Sequence, residues 1–218
     1  MPTMYVAQQQ FEIQRVDYAA PEASGRIGGV QAGFPLWSMV STLGRMPVAN
    51  SDEWRAFFSS MRGQTRRFIG FPLDRVLPKS YLDAGLPGGF AGDASSWSET
   101  INSDGDSLLT LNGLPASFIL SQGDYIDFRY TATETAVAGL PWRALVRVVV
   151  GATASGGGVA TVTVEPPVPT AVPGSAVAHV DNPGCVMAMV LDQSNLGPVD
   201  RLYSIDGGQI MAIQDIRE

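Results

Sequence analysis

The sequence predicts a mainly β protein of the α+β kind, with a single short helix covering one sheet. Three observations support this. Apolar residues recur in short runs, several alternating apolar with polar as a half-buried strand requires. The 24 glycines and 15 prolines among 218 residues exceed the usual share of about one residue in eight and fall between those runs, where turns belong. One segment, Asn50 to Met61, carries a helical period.

That segment opens NSDEWRAFFSSMRGQTRRFIGF, residues 50 to 71. Asn50 is placed to accept amide hydrogens of a first turn, and Glu53 to return the bond three residues on. Asp52 and Glu53 suit the positive end of a helix. Trp54, Phe57, Phe58 and Met61 recur at i, i+3, i+4 and i+7 as one apolar stripe. Gly63 is expected as the left-handed residue that ends the helix. About three turns with this much aromatic surface are not stable alone in water, so the stripe must lie on a sheet.

Upstream, Phe11 to Tyr18 reads as a strand with Phe11 and Ile13 opposed to Glu12 and Gln14. Residues 19 to 35, with Gly25, Gly28, Gly29 and Gly33, fit an extended arm or hairpin loop; GRIGG lacks the spacing and following helix of a phosphate loop. Leu36 to Leu43 is a second strand. Downstream of the helix, Thr65 to Phe71 reads as a strand. Pro72, Pro78 and Pro87 then break the chain, and Phe90 to Asp106 is small and polar, with a turn at Ser103 to Asp106 that lacks the full ligand pattern of a calcium loop.

A β section follows. Strands are expected at Leu108 to Leu111, Phe118 to Leu120, Tyr125 to Tyr130, Arg143 to Val150, Val159 to Val164 and Ala176 to Val180. Asn112-Gly113 and Gly123-Asp124 are turn signals, and Glu165-Pro-Pro ends a strand because proline cannot donate to a ladder. Cys185 to Leu191 is an apolar strand, and Val199 to Ile205 and Gln209 to Ile216 are expected to form a hairpin about Asp206-Gly207-Gly208. The continuous short strands of the middle suggest a small β-barrel or sandwich, residues 90–182, inserted between two parts of one domain, 1–89 and 183–218. A single sandwich is the alternative.

Fourteen basic against 21 acidic residues give a net charge of −7, which argues against a protein that grips the phosphate backbone. It is compatible with a negatively lined ring through which DNA slides. Charged residues make up only 16% of the chain, below the usual quarter, as when subunit contacts hide surface. A soluble monomer rich in Ser, Thr and Gly is the plainer account. Cys185 is alone, so no intrachain disulfide or cysteine zinc site is expected. No signal peptide is evident, and no apolar run reaches the length of a membrane span.

No catalytic, metal or cofactor-binding residues are expected. His179, the one histidine, stands in a β run without triad or zinc-motif context. Asp104 with Asp106 and Asp52 with Glu53 are explained by a turn and a helix start. Of the four tryptophans, Trp54 belongs to the helix stripe and Trp37 to a strand, in core or interface. Trp97 and Trp142, near loops, are the candidates for exposed contact, although covering a barrel end is the other use for them. Arg62, Arg66 and Arg67 cluster after the helix, where arginine suits either solvent or a subunit boundary.

The order and spacing of several motifs resemble the distal tail protein family of long-tailed bacteriophages. They are Glu53-Trp54-Arg55-Ala56-Phe57-Phe58 with Met61-Arg62-Gly63, Phe68 and Phe71; Leu109, Leu111-Asn112-Gly113, Gly123-Asp124-Tyr125, Arg147-Val148-Val149 and Val162-Thr163-Val164-Glu165-Pro166; and Ala176 to Val180 with Pro183 to Met187. The resemblance covers roughly residues 11 to 218. It departs at Leu114-Pro115, where the family often has a tryptophan, and in the linker Thr131 to Pro141.

The resemblance implies a tail-tube-like ring domain, a β-sandwich with a flanking helix made from the two end segments, and a peripheral β domain that projects outward. It implies a virion protein of the tail tip or baseplate, made in the bacterial host cytoplasm. Six copies would form a ring between the tail tube protein and the tail hub or tip protein, with DNA passing through and no catalytic residues. Phe34, Trp37, Met39, Arg62, Arg66 and Arg67 are the candidate subunit contacts. The rivals are a carbohydrate-binding β module using Trp97 or Trp142, another tail ring or terminator protein, and, last, an enzyme.

Overall fold

The computed structural model describes residues 5–21, 27–62, 64–132, 140–198, 204–205 and 207–217. It is mainly β, with one α-helix among the described residues. The chain opens with β1 (Val6–Gln14), β2 (Asp17–Pro21), β3 (Ile27–Gln31) and β4 (Leu36–Leu43), which form one long interrupted hairpin. β1 pairs antiparallel with β4, and β2 with β3 beyond it. Then come β5 (Met46–Pro47), α1 (Val48–Met61) and β6 (Arg67–Gly70). The middle supplies β7 (Ser96–Ile101), β8 (Ser107–Asn112), β9 (Ile119–Leu120), β10 (Tyr125–Tyr130), β11 (Trp142–Val150), β12 (Ala152–Thr153), β13 (Ala160–Glu165) and β14 (Val177–His179). The chain ends with β15 (Cys185–Met189), β16 (Asn195–Leu196), β17 (Ser204–Ile205) and β18 (Gly208–Gln214).

Two large antiparallel sheets divide these strands. The first runs β1-β4-β18-β15-β6, with β16 also beside β18, and draws only on the two ends of the chain. The second runs β14-β10-β11-β13-β8-β7 and draws only on the middle. It closes on itself. The residues leading into β7 pair with β14 through an Asp93–His179 bridge, with Ala94 N–H donating to Ala178 O and Val180 N–H to Gly92 O, both at 2.8 Å. Leu109, Leu111, Ile126, Phe128, Val146, Val148, Val162 and Val164 fill this barrel from alternate positions of its strands.

The helix starts three residues earlier than its sequence suggests, with Pro47 in place of Asn50 before its first residue. β5, paired with β17, delivers Pro47 at φ −59° directly before Val48, and no side chain caps the start. Proline sets that φ by itself and has no N–H to satisfy. Asn50 therefore lies inside the first turn, and Asp52 and Glu53 fall in the second. At the other end it is Arg62, at φ +47°, that takes the left-handed position; Gly63 lies outside the described residues. Trp54 and Met61 are buried at 1% and 7% exposure, with Phe57 and Phe58 half-buried beside them. Phe57 meets Phe68 of β6 edge-on at 5.3 Å. The stripe lies on the first sheet, and each buried side chain of this size contributes about 1.5–3 kcal/mol.

Other boundaries moved for tertiary reasons. β7 forms where a polar loop was expected, because one neighbour, β8, supplies its whole ladder and its outer face needs no apolar residues. Of the hairpin expected about Asp206 to Gly208, residues 199–203 and 206 lie outside the described residues; its described part, β17, pairs with β5, and β18 pairs with β4, β15 and β16. Asn112-Gly113 turns the chain without joining two paired strands. Gly113 sits at φ +78°, where a Cβ would lie 2.4 Å from Ser95 Oγ, so only glycine fits.

The barrel sits against the first sheet. β11 turns Ala144, Val146 and Val148 into the barrel and Leu145 outward into the core of the first sheet. Trp37 Nε1–H donates to Leu145 O at 2.7 Å. Tyr125 meets Phe11 and Trp37 edge-on at 6.4 and 5.5 Å. Tyr130 Oη–H donates to Arg217 O at 3.1 Å. The inner face of the first sheet is thus covered by helix at one end and by barrel at the other. Leu145 is fully buried at this junction.

Candidate functional site

Among the described residues, the β2–β3 arm and the edges β1 and β6 have no further strand beside them, and the outer face of the first sheet is uncovered. Side chains of β1 do reach other parts of the chain: Gln9 bonds Phe71 O and Leu73 N–H at 3.1 and 2.8 Å, and Glu12 pairs with Arg147 of the barrel. In β1 the side chains of Gln9, Phe11 and Ile13 turn inward, while Gln8, Gln10, Glu12 and Gln14 turn outward and stay exposed. Ser38, Val40 and Thr42 of β4 and Gln209, Met211 and Ile213 of β18 continue that outer face and remain exposed or half-exposed. The arm pairs Tyr18 with Val30 and Ala19 with Gly29, and among the described residues no third strand joins it. A two-stranded hairpin is marginal in water without a third strand or a packed layer. Val16, Tyr18 and Phe34, along the arm and at its root, are 54%, 69% and 43% exposed. Beside Phe34 opens a cleft of about 450 Å³, lined also by Leu36, Pro169, Ala171 and Ile216.

A charged cluster marks the return from barrel to first sheet. Asp127, fully buried on β10, accepts at Oδ2 from Arg129 Nε and Arg143 Nη1, each at 3.2 Å. Those two arginines also donate to the carbonyls of Asp181 and Asn182, at 2.6 and 3.2 Å. His179 Nδ1 lies 3.0 Å from Asp181 Oδ1. Burial pushes the Asp127 carboxyl up to about 6, against the pull of the two guanidiniums. At Asp181 burial acts the same way, but the hydrogen bond with His179 and the charge of Arg129 outweigh it and hold the carboxyl at about 2. Burial also pushes the Cys185 thiol well up. Asp127 Oδ1 and Arg143 Nε are buried without a hydrogen-bond partner among the described residues, but the other polar atoms of the cluster engage one another and the crossover backbone, so the cluster fastens a joint. Among the described residues no group of His, Cys, Asp and Glu is arranged to hold a metal ion.

Of the candidate subunit contacts, Phe34 is at the surface, and Arg62 and Arg66 are exposed. Trp37 and Met39 are not available: both are fully buried under the barrel and helix side of the sheet, Trp37 stacked on Phe11 at 5.3 Å. Arg67 pairs with Asp215 inside the chain and donates to Gln64 O. The candidate exposed aromatics are corrected too. Trp142 is 3% exposed in the barrel core. Trp97 is half-buried, 4.7 Å from Phe128, with Nε1–H donating to Ala176 O at 2.8 Å. Both rings seal the barrel, so neither offers a flat platform to a sugar.

Sequence reasoning missed the Asp127 cluster. In YIDFRY the alternation sets Ile126 and Phe128 on one face and Asp127 and Arg129 on the other, which normally means a solvated face. The first sheet covers that face as well. Its one sequence trace is the charge pairing itself, Asp127 and Arg129 on the same face of a strand. No helix among the described residues is long and apolar enough to cross a membrane. No protein-family model matches the sequence, and no curated protein is significantly similar to it.

Proposed function

We propose that this chain is a non-enzymatic structural subunit of a bacteriophage tail, six copies of which form a ring joining the tail tube to the tail tip or baseplate hub and letting DNA pass. The observation that supports this best is the arm: a hairpin extending roughly 16 Å over its five paired positions, with no third strand among the described residues to complete it. A neighbouring subunit is the simplest source of the missing layer. The open edges β1 and β6 favour the same arrangement, because a sheet edge that stays unpaired invites another chain. The main path of the first sheet has five strands, all antiparallel, so its two edges run in the same direction. A neighbour related by rotation would bring β1 parallel to β6, and such head-to-tail contacts close into rings. The outer sheet face, rich in Gln, Ser and Thr, with Glu12 paired to Arg147 and Arg67 to Asp215, suits a channel that DNA crosses without sticking.

Native mass measurement and negative-stain imaging of the full chain test this, alongside a variant whose residues 17–31 are replaced by an Asn-Gly turn. Six-membered rings are expected from the wild type and monomers from the armless variant. A wild type that stays monomeric at high concentration, or rings that survive loss of the arm, would overturn the proposal.

A further inference from the structure

The cleft beside Phe34 has a feature that its apolar walls do not explain. Gln214, one of its lining residues, is 4% exposed, and its side-chain Oε1 accepts from the Trp37 backbone N–H at 3.2 Å, which fixes the amide. The other end of that amide, Nε2, is buried with no acceptor among the described residues. A buried donor left without an acceptor is costly, and an oxygen brought in from outside removes the cost. The walls, Phe34, Leu36, Pro169, Ala171 and Ile216, call for an apolar or aromatic side chain beside that oxygen. Asp215 at the rim is already matched by Arg67 and Arg217, so no charge is required of the occupant.

We propose that this cleft receives the β2–β3 arm of a second copy of the chain, with Tyr18 against Phe34 and Pro169 and an arm backbone carbonyl accepting from Gln214. This rests on the ring proposed above and names the contact that closes it. The arm matches both demands. Tyr18 is its largest side chain and is 69% exposed in the single chain. Among the described residues each strand of the arm also has one ladder side unpaired, so the carbonyls on that side can bond outward. The cleft is large enough for one aromatic side chain and the adjoining backbone. It opens at the root of the chain's own arm, so each copy would give an arm to one neighbour and take an arm from the other. Such a contact is heterologous and continues around a ring.

Two substitutions on opposite halves of the contact test this. Tyr18→Ser removes the side chain that enters, and Ala171→Arg fills the cleft from an accessible loop. Each variant is checked for a wild-type circular dichroism spectrum and melting temperature. Each alone is expected to raise the concentration for half-assembly about tenfold or more. An equimolar mixture carries one intact arm and one intact cleft per pair, so it is expected to give heterodimers at a concentration where neither variant alone assembles. If the wild type forms rings and Ala171→Arg assembles equally well, the cleft assignment fails while the ring stands. If the mixture behaves as the sum of two monomers, the arm-into-cleft pairing fails. A wild type that never assembles removes both.

Discussion

Replacing Trp37 with phenylalanine tests how the barrel is fastened to the first sheet. The indole is fully buried, stacks on Phe11 at 5.3 Å, meets Tyr125 at 5.5 Å and lies under the Arg147 guanidinium at 5.5 Å. Its N–H donates to Leu145 O at 2.7 Å, so phenylalanine leaves that carbonyl without its donor, at a cost of about 1–3 kcal/mol. The smaller ring also leaves a void and weaker contacts, roughly another 1–2 kcal/mol, below the ~3–5 kcal/mol of a full truncation. The total is ~2–5 kcal/mol. For a chain of this length that corresponds to a melting temperature lower by roughly 4–20 °C. Urea unfolding followed by far-UV circular dichroism measures the loss directly. A double-mutant cycle with Arg147→Met isolates the guanidinium–indole term, expected at about 0.5–1 kcal/mol. A loss below about 1 kcal/mol for Trp37→Phe would show that the indole does not hold the two sheets together.

Three further outcomes are expected. Trp54→Ala empties the centre of the helix contact and should lower stability by ~3–5 kcal/mol in urea unfolding; a cost near zero would mean the helix is not held by its stripe. Gly113→Ala places a Cβ 2.4 Å from Ser95 Oγ at φ +78° and should cost more than ~1 kcal/mol, whereas glycine-to-alanine changes at unstrained positions stabilise. The charged cluster should make stability depend on pH in two opposite ways. The folded state holds the Asp127 proton more tightly than the unfolded chain does, so this group lowers stability as pH rises from about 4 to about 6, and Asp127→Asn should flatten that slope. The Asp181 carboxyl is held at about 2, so its contribution is present above about 4 and is lost as pH falls towards 2. Urea midpoints from pH 3 to 7 for wild type, Asp127→Asn and Asp181→Asn separate the two; an unchanged slope in Asp127→Asn counts against the buried-carboxylate account.

The sequence determined where local periodicity is strong. Leu36–Leu43 and Tyr125–Tyr130 form strands with the bounds their alternation gives, and the stripe from Trp54 to Met61 faces the sheet. The separation of end strands from middle strands was also legible, because turn-rich short runs cluster between residues 107 and 179. What covers each face was not. Periodicity tells which side of a strand is apolar, but not what meets the other side. Asp127 and Leu145 look solvated or neutral in the sequence, and only the docking of the barrel buries them. Likewise β17 passes over its neighbour across a glycine turn and pairs with β5, which lies far away in the chain. Register, partner choice and the second covered face depend on contacts between residues more than a hundred positions apart, such as Trp37 with Leu145. Those contacts are set by packing and hydrogen bonding in three dimensions, which only the tertiary structure decides.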